Sequence, residues 1–231
     1  MAKSEPGLEE HAAQGPRQTD RSDQARTPEY TFDFSGGRLC LDFVNTVSAS
    51  RAHPKEHLKT YADLVSWGRQ AGILNESEAQ RLVRAAKKRP DEAAQTLAQA
   101  VQLREAMFRI FSGAGECKPQ RPEDMDTLNA SLARALAQVR LEASPEGCVR
   151  AWAGDGDQLD RMLWPVLRSS MDVLTSDEER QRVHRCESPT CDWLFLDTSR
   201  NRSRRWCDMK SCGNRAKARR YYERHKHEPA G

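Results

Sequence analysis

"CESPTCDWLFLDTSRNRSRRWCDMKSCGNRAKARRYYERHK", residues 186–226, decides how this chain is read. Four cysteines stand in two pairs, Cys186 with Cys191 and Cys207 with Cys212, with four residues between the members of each pair and fifteen between the pairs. Two tight loops that each supply two thiolates can converge on one ion, and four thiolates suit a closed tetrahedral zinc site. We therefore expect one structural Zn2+, with His184 and His225 as possible substitute ligands. Between the pairs, residues 192–199 read as a strand, with Trp193, Phe195 and Asp197 on one face and Leu194 and Leu196 on the other. Residues 202–206 can return antiparallel to it, and a helix follows from about Ser211. This is a treble-clef-like layout of hairpin plus C-terminal helix. It is too small to fold by burial alone, so the metal would supply folding energy. The competing reading is a redox switch, because neighbouring arginines make thiols reactive. The two are compatible, since oxidation ejects the metal.

The segment is also basic. From Arg180 to the end, Lys and Arg outnumber Asp and Glu by 14 to 6, while the 231-residue chain carries only +3. An acidic body with a basic end is the asymmetry expected where one end meets a polyanion. On a helix over 211–226, Arg215, Arg219 and Lys226 form one rail and Lys217, Arg220 and Arg224 another. Asn214, Ala218, Tyr221 and His225 fall on a third side, placed against the hairpin, with Tyr221 packed there. The candidate nucleic-acid-binding residues are Arg202, Arg204, Arg205, Arg215, Lys217, Arg219, Arg220 and Arg224. Such cations release counterions from phosphates and fork onto guanine. Asn214 and Arg215, at the helix start, either join them or brace the zinc loops.

Upstream the pattern is helical. Residues 1–28 hold few apolar side chains and read as a disordered tail. Residues 29–178 then form a mainly α regulatory domain, and 180–227 the finger. A short helix is expected over 38–47, where Leu39, Phe43 and Val47 are four apart. Thr60 with Asp63, and Asn75 with Glu78, have the spacing of N-terminal caps. Residues 91–111 carry a core helix. Pro122 opens another, with Glu123 and Asp124 suited to the positive end of its dipole. Pro145-Glu146-Gly147 marks a hairpin over 140–152. A last helix is read over 157–174, kinked by Pro165.

The body offers little chemistry. There is no phosphate-cradling glycine loop, no Gly-x-Ser-x-Gly and no His-Glu-x-x-His. His53 and His57 lie in a polar stretch and read as exposed loop residues. Asp42 and Asn45 sit inside an apolar run and need partners. They either line a ligand pocket or make capping and core hydrogen bonds. No run of about 20 apolar residues suits a membrane span. The seven cysteines, with Cys40, Cys117 and Cys148 scattered and no export signal, do not form a disulfide framework. A soluble cytoplasmic protein is expected.

These residues carry two resemblances. Cys212-Gly213-Asn214-Arg215, with Trp206-Cys207, Arg204-Arg205 and the Phe195-x-Asp197 pattern, resembles the CGNR zinc finger. "FSGGRLCLDFVNT", residues 34–46, is similar to the start of the ABATE domain. The pairing implies a helical regulatory domain ahead of a finger, as in bacterial proteins regarded as stress-induced transcription regulators. It implies no enzyme, since a four-cysteine site leaves zinc no open position. Two readings follow. The first is a DNA-binding regulator with an unknown effector. The second is a zinc-stabilised module that docks on an acidic protein or on RNA, redox-responsive through its thiolates. Operator binding needs two half-sites. With no heptad zipper present, a homodimer would have to use the helical body.

Overall fold

In a computed structural model the described residues are 30–114, 120–154 and 156–225. The tail expected at 1–28 and Cys117 lie outside them. The order is α1 (Leu39–Val44), α2 (Tyr61–Gln70), α3 (Glu76–Lys88), α4 (Pro90–Ala114), α5 (Pro122–Leu136), β1 (Val139–Ser144) and β2 (Gly147–Trp152). Then come α6 (Leu163–Thr175), α7 (Asp177–Arg180), β3 (Val183–Arg185), β4 (Leu194–Leu196), a π-turn at Met209–Gly213 and α8 (Asn214–His225). The fold is mainly α, with two small antiparallel hairpins among the described residues. No helix among them is long and apolar enough to cross a membrane.

Local chemistry sets the helix starts. Thr60 and Asp63 form a reciprocal capping box for α2, and Asn75 and Glu78 do the same for α3. Each box satisfies two backbone N–H groups that a helix leaves orphaned. Pro122 opens α5 at a position that needs no N–H donor. The long helix α4 buries Ala100, Leu103, Met107, Ile110 and Phe111 against Phe43, Trp67 and Trp164. The expected helix over 157–174 begins only at Leu163. Pro165 therefore sits in the first turn, where its missing N–H costs nothing, and no kink results.

A second correction concerns the finger. Residues 202–206 are not the partner of the predicted strand. β4 pairs instead with β3, Val183 opposite Leu196 and Arg185 opposite Leu194. The Asp197 carboxylate explains the difference. It accepts the Ser199 N–H at 2.8 Å and the Arg204 N–H at 2.9 Å, gathering 199–204 into a loop. Arg202 takes a left-handed backbone (φ 50°) within it. Arg205 C=O instead accepts the Glu187 N–H at 2.9 Å, beside Cys186.

The third finding is that β4 joins the core of the body to the cysteine cluster of the finger. Val183, Leu194 and Leu196 pack with the helical residues, while Phe195 packs with the four cysteines. The segment from Ser35 to Arg51 grips the finger along its length. Gly36 C=O accepts the Leu196 N–H at 2.8 Å, and Ala49 C=O accepts the Asp192 N–H at 2.6 Å. Val47 C=O accepts the Trp193 indole N–H at 3.0 Å. The Asn45 amide works as one more strand residue: it donates to Leu194 C=O at 2.8 Å and accepts the Leu194 N–H at 3.0 Å. Partly buried ion pairs brace the gripping loop. Arg104 is 2% exposed and holds Glu56 through two bonds of 2.7 Å. Arg51 pairs with Glu105 and lies over the Phe108 ring.

Asn45→Ala strands a buried donor and a buried acceptor on Leu194. We expect a loss of about 2–3 kcal/mol of stability, read as a lower urea midpoint with an unchanged slope. A loss under about 0.5 kcal/mol would show that the joint does not depend on this amide.

Candidate metal centre and basic face

The cysteines arrive from four short pieces of backbone. Cys186 follows β3, and its N–H bonds the Trp193 C=O at 2.9 Å. Cys191 closes a turn through its N–H to Ser188 C=O at 2.9 Å. Cys207 follows the Asp197-held loop, and Cys212 lies in the π-turn. The turn is capped by Asp208, whose carboxylate accepts the Ser211 N–H at 2.7 Å. All four cysteines are buried, and their sulfurs lie within 4.8 Å of one another.

The spacing fits an ion. Cys191 and Cys207 sulfurs are 3.7 Å apart, as are those of Cys207 and Cys212. A tetrahedron with Zn–S of about 2.3 Å has edges of roughly 3.8 Å. A disulfide would bring two sulfurs to about 2.05 Å. The four residues form a zinc-binding site, and together they fill its coordination positions. His184 and His225 take no part: the His225 ring stacks on Tyr221, and His184 lies beside Phe195.

The surroundings favour thiolate. Arg215 Nη2 donates to Cys212 Sγ at 2.9 Å, and the Cys207 N–H points at Cys186 Sγ at 3.5 Å. Hydrogen bonds from Cys191 and then Cys207 hold the Cys186 thiol well below its ordinary range. The same crowding, led by Cys186, pushes Cys207 up.

The tetrapeptide 212–215 divides its labour. Cys212 is a ligand. A Cβ on Gly213 would meet the Met209 sulfur at 2.9 Å. Asn214 Nδ2 donates to Lys210 C=O at 3.1 Å, satisfying a carbonyl of the π-turn. Arg215 braces the ligand sulfur. Of the two roles expected for Asn214 and Arg215, these contacts are those of bracing.

The predicted basic residues separate in the same way. Arg204 spends its donors inside the fold, on Ser35 C=O at 3.0 Å, Trp206 C=O at 3.1 Å, Leu196 C=O at 3.3 Å and Cys207 C=O. Its guanidinium also lies over the Phe195 ring, 4.5 Å from the centroid. Arg205 pairs with Glu187, and Arg202 is exposed at the loop tip. Lys217, Arg219, Arg220 and Arg224 are exposed along α8, with Arg219 paired to Glu223 at 2.8 Å. Tyr221 does not pack against the hairpin as expected; it is 54% exposed, and Tyr222 is 73% exposed. The hairpin gives its apolar residues to the body and to the cysteines, so no residue of α8 is buried.

The two candidate pocket residues also part. Asn45 is consumed by Leu194. Asp42, 8% exposed, accepts the Gly36 N–H at 2.8 Å and borders a cleft of about 770 Å³ with Phe34, Arg38, Gln70, Pro165 and Ser169. Burial pushes its carboxyl up to about 6. Asp192, Trp193 and Asp197 matter to the site but are absent from the predicted site residues; for Asp197 the Phe195-x-Asp197 pattern was the available signal.

Two family models match the chain. Residues 37–177 match ABATE, described as "Putative stress-induced transcription regulator", and residues 182–225 match the CGNR zinc finger. No curated protein matches it.

Cys207→Ser should lower bound zinc from one ion per chain to well under one, measured by atomic absorption after dialysis. Arg215→Ala should keep one zinc but release it to a chromogenic chelator about tenfold faster, within the 10–100-fold range typical of groups that support a ligand. Arg215→Lys should lie between. Equal release rates in all three would remove Arg215 from the site.

Proposed function

We propose, because the chain belongs to the ABATE family and carries a CGNR zinc finger, that it is a DNA-binding transcription regulator. In this reading the zinc site mounts α8 and the duplex receives it. The observation that carries the proposal is α8 itself. Its sequence, NRAKARRYYERH, holds five Lys or Arg against one Glu, and no residue of it is buried. A helix with no apolar face on its own protein is held by few internal contacts. A cationic helix of that kind suits the major groove, which admits an α-helix.

Within this proposal Lys217, Arg219, Arg220 and Arg224 meet phosphates or base edges, and Arg202 and Arg205 extend the cationic surface. Most of these contacts would position the finger and carry no sequence information. Arg204 and Arg215 contribute through the fold. The cleft at Asp42 is the proposed effector site of the body, since Asp42 bonds Gly36, whose carbonyl holds β4. A regulator of this kind acts in the cytoplasm. The ABATE model is described as a transcription regulator, and a closed four-thiolate site offers no water position for hydrolysis. RNA, or an acidic protein, is the competing partner, and exposed Tyr222 is the feature that favours RNA through base stacking.

The test is fluorescence anisotropy of the zinc-loaded full chain with random-sequence duplex DNA across a salt series. Affinity should fall steeply with salt, at a slope of about −0.9 per phosphate neutralised. Arg219→Ala/Arg220→Ala should flatten that slope by about 1–2 without changing zinc content or Tm. Arg204→Ala should lower Tm instead. An unchanged slope in the double variant would remove α8 from the interface, and clear preference for RNA of equal length would favour the competing reading.

A further inference from the structure

The hairpin β1–β2 projects from the body with both faces exposed through residues 140–149. Its base is anchored, since Trp152 stacks near Trp164 in the core. Beyond that base, β1 and β2 pair only with each other among the described residues, so the outer edge of β1 is open. Leu141 is 75% exposed at the middle of that edge. An open, half-apolar edge is a template for another strand, and an isolated two-stranded ribbon is marginal in water.

The charges on β1 specify which strand. The sequence runs Val139-Arg140-Leu141-Glu142-Ala143. An antiparallel copy of it, centred on Leu141, sets Leu141 against Leu141, Val139 against Ala143, and Arg140 against Glu142 twice. Opposite charges directly across a pair attract, and like charges repel. Registers that keep the same face aligned differ by two residues. A slip one way sets Arg140 against Arg140, and a slip the other way sets Glu142 against Glu142. Only the Leu141-centred register matches charge. Within one chain both groups lack an ionic partner: Arg140 donates to the carbonyls of Ala137 and Val139, and Glu142 has no hydrogen-bond or ion-pair partner among the described residues.

We infer that β1 is the dimerisation edge, pairing with β1 of a second copy about a two-fold axis through Leu141 to give a four-stranded antiparallel sheet. The resulting face joins Val139, Leu141 and Ala143 of both copies, with two Arg140–Glu142 pairs on the opposite face. This supplies the two-fold that a regulator reading paired half-sites needs. It extends the regulator proposal, yet its test reads association alone, so DNA binding and dimerisation can fail separately.

Sedimentation equilibrium of the zinc-loaded full chain should show a dimer. Arg140→Glu alone and Glu142→Arg alone should each weaken it about tenfold or more, because every reversal acts twice. The double reversal should restore it. At concentrations low enough for all to be monomeric, the four proteins should share one Tm, since both positions are exposed. In a Cys148→Ser background, Leu141→Cys should form an intermolecular disulfide on mild oxidation, and Val149→Cys should not. A monomer at every concentration, a dimer indifferent to both reversals, or equal cross-linking at 141 and 149 would overturn the inference.

Discussion

Strand β4 is three residues long and serves two cores at once. Leu194 and Leu196 face the helical body, and Phe195 faces the cysteines. Alternation along a strand makes this unavoidable once one face is taken. The two ends of the protein therefore meet through single residues rather than through a linker. Removing the metal withdraws support from Phe195, and loosening the body withdraws support from its neighbours on either side. The backbone around β4 is satisfied from the same segment, with Gly36 on Leu196, Asn45 on Leu194, Val47 on Trp193 and Ala49 on Asp192. In physical terms the ABATE-like stretch 34–46 is largely the socket for the finger.

This explains what could be read from the sequence. Thiolate pairs need no context, because spacing alone lets four sulfurs converge; Cys186, Cys191, Cys207 and Cys212 could be assigned directly. Capping boxes are local, so the starts at Thr60 and Asn75 were equally open to reading. The alternation of Leu194, Phe195 and Leu196 was visible as well, and so was the Pro145-Glu146-Gly147 hairpin. What failed depended on distant partners. The strand partner of β4 was misassigned because Asp197 bends the chain at Arg204, and a carboxylate's choice of N–H partners leaves no period in sequence. Tyr221 was misplaced because the face meant to receive it belongs to the body. Pro165 was read as a kink because the start of α6 is set by burial of Leu163 and Trp164, not by a cap.

Charge was the least legible property. Arginines look alike in sequence and do three different things here. Arg204 and Arg215 hold the metal loops, Arg104 and Arg51 stiffen the segment that grips the finger, and the other cations of α8 are exposed. Net charge counts all of them as one quantity. The field available to a polyanion comes mainly from the last group, since paired and inward-facing guanidinium groups are already compensated.

The same geometry limits how this protein can be regulated. α8 begins where the zinc turn ends, with Asn214 bonded to Lys210 and Arg215 bonded to Cys212. The zinc cluster in turn rests on Phe195, and its strand rests on the carbonyl of Gly36. Gly36 also gives its N–H to Asp42 at the cleft. A chain of direct contacts thus runs from a cleft carboxyl to the basic helix, through one peptide unit and one strand. Signals along it need differential binding at the cleft and no large domain motion. Under the proposed effector role of the cleft, a ligand favouring one setting of the Gly36 peptide would bias β4, and the zinc turn would pass that bias to α8.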